Sequence, residues 1–424
     1  MLIILAVSFL VLIMLGMPIA YAMGLSSFIA LIVGGDVPLI VVPQRMFVAI
    51  DSFSMMAIPL FLLAGELMNS AGITRRIVRF SSTLVGHLRG GLAQVNILAS
   101  ILFSGVNGSA AADSATTGSM LIPAMVEEGY PPEFAGAVTA TSSTLGAIKP
   151  PSIMMIIYGS ITGQSIGALF LGGIVPGFMI AFSLMTVAYI ISVKRGYKAR
   201  EKAKLGEILS AFRESAVALV MPFIVIGGIL SGIFTATEAG VVAVVYGLFA
   251  GIYLKELNPK KILRIFISAG KSTATIMFVL ASAQILGWIL ARERLPQMVI
   301  AALLNISENP TIIMVLILIF LFLFGLFMDG TAAMIILVPV FVPILAQFGY
   351  DPTHFAVVVI MMLVISACTP PVGVLLFINC GIAKVSILQL SKAAIPFVAA
   401  MLLVILVVAF NPWIVTTLPR LLMG

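Results

Sequence analysis

Residues 103–118 read FSGVNGSAAADSATTG, a run of Gly, Ser, Thr, Asn and Asp set between arms apolar enough to lie in a bilayer. An unpaired polar group in hydrocarbon is strongly destabilising, so this run must face protein or water. A weaker echo, FGLFMDGTAAM, runs from Phe324 to Met334, again between apolar arms. Any fold open to this chain has to shelter both. Paired polar interruptions at corresponding places in two halves of a membrane chain point to a transporter's binding site near the midplane.

The surrounding composition sets the solvent. The 424 residues are 61% hydrophobic and 9% charged, with a mean hydropathy of +1.22; a soluble domain carries about a quarter charged residues. Apolar runs of ~20 residues without turns fit helical spans and not the alternating strands of an outer-membrane barrel. An all-α integral membrane protein is predicted. The first residues, MLIILAVSFLVLIMLG, lack a basic leader and a small-residue cleavage site, and read as a retained span. Cys368 and Cys380, both in apolar surroundings, read as small buried hydrophobes. His87 and His354 stand apart from any Ser–Asp or Cys constellation, and no G-x-x-x-x-G-K-[ST] loop is present, so hydrolase and nucleotidase readings have no support. Energy must come from a gradient or a partner. The net charge of +7 is explained by topology, without nucleic acid.

Apolar length predicts crossings at about 1–33, 46–72, 134–163, 168–193, 213–234, 239–254, 267–291, 354–382 and 393–415. The pairs 92–106 with 110–126 and 311–328 with 331–348 are too short, and too polar at their joints, for ordinary paired spans. Each is predicted to be a re-entrant hairpin that enters and leaves on one side. With a cytoplasmic N-terminus, most of the 23 Lys and Arg then share one side: Arg75, Arg76, Arg79 and Arg89; Lys194, Arg195, Lys198, Arg200, Lys202, Lys204 and Arg213; Lys255, Lys260, Lys261 and Arg264; Lys384 and Lys392. Arg45, Arg292, Arg294 and Arg420 take the other side, with Lys149 and Lys271 at membrane depth.

Sequence repeats at an offset of 220 residues: Gly129-Tyr130 answers Gly349-Tyr350, Pro132 answers Pro352, Pro150-Pro151 answers Pro370-Pro371, and Pro176 answers Pro396. With 213–234 as one extra crossing, the halves must be inverted, so the hairpins open to opposite sides and their tips meet at mid-depth. After each hairpin comes a span broken by a double proline, SSTLGAIKPPS (Ser142 to Ser152) and SACTPPVG (Ser366 to Gly373). Prolines remove backbone donors and leave carbonyls of the preceding turn free, hard oxygen ligands suited to a small cation such as Na⁺. Helix N-termini at the tips carry the opposite field, suited to a carboxylate.

Packing through small residues accounts for the Ala and Gly of the first tip but not for Asn107, Ser109, Asp113 and Ser114 together. Asp113 fits either a helix cap or the site. Asp329 before Gly330-Thr331 fits a cap, and an acid at membrane depth favours a part in coordination. Lys149 stands where the second half has Thr369; it either neutralises substrate, replaces a cation, or snorkels to the surface. Glu66 and Glu238 are assigned to hydroxyl pairing or water. Gly72 to Gly90 and Leu295 to Ser307 occupy corresponding places as in-plane amphipathic arms, the second equally readable as a plain loop.

With these motifs in view the chain resembles, over nearly its whole length, the large membrane subunit of tripartite ATP-independent periplasmic (TRAP) transporters. The resemblance is carried by MAIPLFLLAGELM (Met56 to Met68), FSGVNGSAAADSATTG, IPAMVEEGYPPEFAGAVTATSSTLGAIKPPS and LFMDGTAAMIILVPVFVPI in combination. It implies an inverted-repeat, elevator-type transporter of the ion transporter superfamily, with sodium-coupled uptake of an organic acid (a C4-dicarboxylate, sialic acid or similar) across the bacterial inner membrane. A periplasmic binding protein and a small four-span membrane subunit are the implied partners, in a setting of membrane lipid. By position, the first sodium site falls on Asn107, Gly108, Ser109, Thr144, Gly146, Ala147 and Pro150. The second falls on Gly325, Gly330, Ser366, Thr369 and Val372. Substrate lies between the tips near Ser109 and Asp329, with Asn107 and Lys149 as further candidates. The chain divides into scaffold and first arm (1–91), transport half 1 with its following span (92–193), linker span, scaffold and second arm (194–310), and transport half 2 with the last span (311–424). The N-terminus is expected in the cytoplasm and the C-terminus in the periplasm. A standalone carboxylate permease and a non-transporting membrane scaffold are the alternatives.

Overall fold

The computed structural model describes residues 1–35, 37–197, 199 and 201–423. Lys198 and Arg200, two of the predicted basic connector residues, lie outside the described residues. Those described are helical, without a strand among them.

Both predicted hairpins form. Gly91–Asn107 turns into Ala110–Glu127, and Pro310–Gly325 into Gly330–Phe348. The first turn requires glycine: Gly108 has φ +63, and a Cβ there would meet the Pro151 carbonyl oxygen at 2.8 Å. The repeated Gly-Tyr pairs close the hairpins at their bases. Gly129 and Gly349 end the return arms in the left-handed region, at φ +88 and +68. The Tyr350 hydroxyl donates to the Pro310 carbonyl at 2.5 Å, tying the end of hairpin 2 to its beginning. Burial pushes that hydroxyl up to about 12, and burial likewise raises Tyr130 in the matching place.

The two spans after the hairpins are broken where expected. The first consists of Pro132–Ser142, the single turn Leu145–Ile148 and Ile153–Thr162; the second of Pro352–Ser366 and Val374–Ala383. Both Pro-Pro peptide bonds are cis. Each break is clasped to its own hairpin tip: the Ile153 amide donates to the Gly108 carbonyl (3.2 Å) and the Val372 amide to the Leu326 carbonyl (3.1 Å). The broken helices also touch each other, the buried Cys368 thiol donating to the Ala140 carbonyl at 3.2 Å.

Residues 1–34 correct the predicted first crossing. Leu2–Met14 and Ile19–Gly34 are separate helices of 13 and 16 residues, shorter than the ~20 of an ordinary span. They pack together so that Met1 lies against Gly34, and the chain returns to the face on which it began. The reversal is made at Gly16, φ +80, and Pro18. The Met1 amino group sits 3.6 Å from the Glu293 carboxylate, beyond the end of Pro259–Arg292 and a helix length away from Lys260, Lys261 and Arg264 at its start. The N-terminus and the basic connectors therefore occupy opposite faces, and the expectation that placed both in the cytoplasm is overturned. The same reversal occurs in the second half, where Leu205–Leu230 and Ala236–Tyr253 lie antiparallel, the Tyr246 hydroxyl donating to the Val217 carbonyl at 2.7 Å. The crossing predicted as extra, 213–234, is thus the counterpart of Leu2–Met14. The order of the main elements is therefore the same in the two halves.

Helices of the two halves outside the hairpins are interlocked. Ala57–Ser70 packs on Ala236–Tyr253, and Pro259–Arg292 on Ile19–Gly34. Gly240 and Gly247 permit the first contact, where a Cβ would meet Leu60 at 2.8 Å and Leu67 at 3.3 Å. Arg45 and Arg292 both lie over the Trp288 ring, at 5.5 and 5.7 Å from its centroid, which confirms their shared face. Both arms are helices, Ile73–Val85 and Leu295–Ile306, which excludes the plain-loop alternative for the second. The first buries Ile73, Ile77 and Val78 and leaves Arg75 and Arg79 exposed. Ile166–Lys194 and Ile387–Ala409 pack on each other and on the broken helices.

Candidate functional site

The tips meet. Gly108, Ser109, Ala110 and Ala111 of hairpin 1 and Asp329, Gly330 and Thr331 of hairpin 2 line one cavity of about 120 Å³. Ala147, Ile153 and Met154 of the first broken helix, with Leu363, Val364, Ala367, Val374 and Leu375 of the second, complete its wall, and Leu62 of Ala57–Ser70 and Ile276 of Pro259–Arg292 close it.

Ser109 and Asp329 stand at matching repeat positions and do the same local work. The Ser109 hydroxyl accepts from the Ala112 amide (3.4 Å), capping Ala110–Glu127, while the Asn107 side-chain carbonyl accepts from the Ser109 amide (3.2 Å). One Asp329 carboxylate oxygen accepts from the Thr331 and Ala332 amides at 2.9 and 3.3 Å. The capping reading of Asp329 is thus observed, and the same residue borders the chamber. The two caps differ electrostatically. Hairpin 1 presents a helix N-terminus with a neutral cap at the chamber, the acid of its first turn, Asp113, being buried outside the chamber lining. Hairpin 2 presents one whose field is already met by its own carboxylate, which favours a cation or a hydrogen-bond donor.

The residues assigned to the second cation site are gathered at one place. A Cβ on Gly325 would lie 2.0 Å from the Ser366 hydroxyl oxygen, and one on Gly330 would lie 3.0 Å from the Leu363 carbonyl. The Thr369 hydroxyl donates to the Ser366 carbonyl (2.6 Å), and Val372 binds the tip through its amide. At the first site Gly146 packs its backbone against the Ser109 carbonyl, 2.9 Å from a Cβ position, beside Gly108 and Ala147. Thr144 is fully buried, its hydroxyl donating to the Thr141 carbonyl (2.6 Å) as the Thr369 hydroxyl does to Ser366, and its own carbonyl accepts from the Ala147 amide (3.1 Å).

Two sequence candidates do not reach the chamber. The Lys149 ammonium donates to the Ile101 carbonyl at 2.9 Å and lies 5.3 Å from the Phe178 ring centroid, outside the cavity lining. Lys149 braces the first broken helix to hairpin 1 and is not placed to meet substrate. Asp113 is fully buried with Ser100 and Thr117 as polar neighbours, and neither carboxylate oxygen has a hydrogen-bond partner among the described residues. Its capping alternative fails, since Ser109 caps that helix. Asn379, unremarked in the sequence, donates to the Ser114 hydroxyl (2.5 Å) and ties hairpin 1 to the second broken helix. A lone amide in LLFINCGIA was the available signal.

The chamber continues into a cavity of about 440 Å³ that shares Leu62, Ser109, Ala111 and Ile276 and adds Gly65, Glu66, Asn69, Asn107, Ala112, Ser272 and Thr275. A third, of about 650 Å³, follows along hairpin 1 past Thr116 and Ser119 to Arg75, Arg76 and Arg79. The Asn69 amide donates to the Thr116 hydroxyl (3.1 Å) between the last two. The cavities thus step from the tips toward the face of the basic connectors. Glu66 pairs with a hydroxyl as expected, accepting from Ser268 (3.0 Å), and lines the second cavity.

Comparison with known proteins adds to this geometry. A family described as tripartite ATP-independent periplasmic transporter, DctM component, matches residues 6–414. The chain is 38% identical to the sialic acid TRAP transporter large permease protein SiaM of Vibrio cholerae, over 96% of each chain. It is also 38% identical to the isethionate TRAP transporter permease protein DctMQ of Oleidesulfovibrio alaskensis, over 94% of this chain and 63% of that one. Among solved structures the fold is similar to that of the Alcanivorax borkumensis YdaH transporter, with a TM-score of 0.64 at 15% identity, covering 89% of this chain and 88% of the other.

Proposed function

Since the chain belongs to the DctM component family of tripartite ATP-independent periplasmic transporters, a family of permeases and not enzymes, we propose that it carries an organic acid anion into the cell in symport with Na⁺. The observation that carries this reading is the convergence of both tips and both breaks on one chamber bordered by Ser109 and Asp329. The hairpin 1 N-terminus receives the acid group, and backbone and hydroxyl oxygens of the two breaks, around Gly146 and Ser366, hold the coupling cations. Relatives named for a sialic acid and for isethionate, a carboxylate and a sulfonate, support an anion class and leave the member open.

Hairpins, broken helices and their two packing spans form the moving body, and the interlocked helices with their arms form the fixed one, in the manner of an elevator. The charge distribution supports a cytoplasmic location for the basic connectors, and on this reading both termini are periplasmic and the cavities beside Asn107 are reached from the cytoplasm. A periplasmic binding protein delivers substrate, and a small membrane subunit extends the scaffold. The longer relative whose name joins M and Q, of which this chain spans 63%, supports that second membrane component.

The reading is tested by reconstituting the chain with its membrane partner and binding protein and assaying a panel of carboxylates and sulfonates with and without a sodium gradient. Uptake that needs both sodium and the binding protein is expected. Uptake without the binding protein would establish a standalone permease, and absence of uptake under every ion gradient would establish a scaffold. In the same assay Thr369→Val is expected to raise the sodium concentration for half-maximal uptake about fivefold, the worth of one hydrogen bond of about 1 kcal/mol. An unchanged sodium dependence would remove the second break from the site.

A further inference from the structure

We infer that Glu66, on the scaffold, is a cation station through which sodium leaving the first hairpin tip passes toward the cytoplasm; this rests on the sodium-coupled reading above. The cavity of about 440 Å³ joins Asn107 at the tip to Glu66, Asn69, Ser272 and Thr275, an acid, an amide and two hydroxyls, with no Lys or Arg in its lining. The next cavity outward is lined by Arg75, Arg76 and Arg79, with Glu256 and Glu214 paired to the last two. A carboxylate on a route used by the anion alone would repel it. The same group lowers the energy of a cation that has just lost its oxygen ligands at the tip.

The placement of Glu66 suits that task. One carboxylate oxygen is fixed by the Ser268 hydroxyl at 3.0 Å, and no basic side chain among the described residues pairs with the group. Its neighbour Gly65 touches the tip: a Cβ there would lie 3.0 Å from both Cα and Cβ of Asn107. The station therefore adjoins the first tip in the state that opens to the basic face, and it stands on the element that stays behind when the tip moves. A merely structural Glu66 would brace Ala57–Ser70 to Pro259–Arg292 through Ser268 and nothing more.

The test uses the complete transporter in oriented vesicles, with the rate of uptake measured at saturating external sodium while luminal NaCl is varied. Glu66→Gln keeps the hydrogen bond to Ser268 and removes the charge. It is expected to lower the maximal rate about fivefold, the attraction of one water-screened charge pair at contact, and to raise by a similar factor the luminal NaCl needed for inhibition. The external sodium dependence stays at the wild-type value. Glu66→Asp restores part of the rate, and Ser268→Ala, which removes the brace and keeps the carboxylate, leaves luminal inhibition unchanged. A Glu66→Gln transporter with wild-type luminal inhibition overturns the station, as does Ser268→Ala reproducing its effect. Wild-type uptake indifferent to sodium instead overturns the coupling on which the station rests.

Discussion

Asp329→Asn leaves a folded, inserted protein whose uptake falls at least about tenfold, the loss expected when a hydrogen bond or ion contact to a charged group is removed. The substitution separates two roles that coincide in the wild type. Asp329 caps Gly330–Phe348 by accepting from the Thr331 and Ala332 amides, and an Asn side chain caps about as well as Asp. What disappears is the carboxylate charge at the wall of the tip chamber. Asp329→Ala loses both, and is expected to cost a further ~1 kcal/mol in stability through the missing cap. Uptake assays beside thermal unfolding of the solubilised protein separate the two variants. If Asp329→Asn transports at the wild-type rate, the residue is a cap alone and the substrate must be held elsewhere.

Gly65→Val is the second variant with a large effect, and it acts on the contact between the two bodies. The Asn107 backbone stands so close to Gly65 that even a Cβ is tighter than ordinary contact. A branched side chain forces the tip away, at a cost of about 1–3 kcal/mol as for other overpacked sites. If the transport body slides past the scaffold, that cost falls on the cytoplasm-facing state and not on the others. Uptake is then expected to drop at least about fivefold for a cost in that range, while sodium binding, followed by sodium-dependent thermal stabilisation, persists. Normal turnover with Val at this position is incompatible with the tip passing Gly65 in each cycle.

Much of the transport body was readable from residue order. The hairpins announced themselves as polar joints in apolar arms. The breaks announced themselves as double prolines, because a residue that cannot donate a backbone hydrogen bond has few other uses in a span. Repeat matches at Gly129-Tyr130 and Gly349-Tyr350 were visible before their purpose was, and the purpose, closing each hairpin at its base, needed the Tyr350 to Pro310 contact. The N-terminal reversal was hidden for the opposite reason. Apolar length measures how much chain lies in the membrane and carries no sign of direction, so Leu2–Met14 and Ile19–Gly34 read as one continuous span. Lys149 was misplaced for a related reason. A repeat register gives the depth of a residue, and the side chain pointed to Ile101 on the far side of its helix.

Fold class, the inverted repeat, the sites of the two tips and the two breaks, and the face that carries the basic connectors all follow from local chemistry: unsatisfied polar groups, missing backbone donors and the cost of moving charge through hydrocarbon act on each segment alone. Which groups share the chamber does not follow from local chemistry. That Ser109 and Asp329 line one chamber, that Lys149 reaches Ile101, and that Glu66 and Gly65 line the adjoining cavity all depend on how helices distant in sequence pack. Packing is a property of pairs of surfaces, and no single segment holds the information for both.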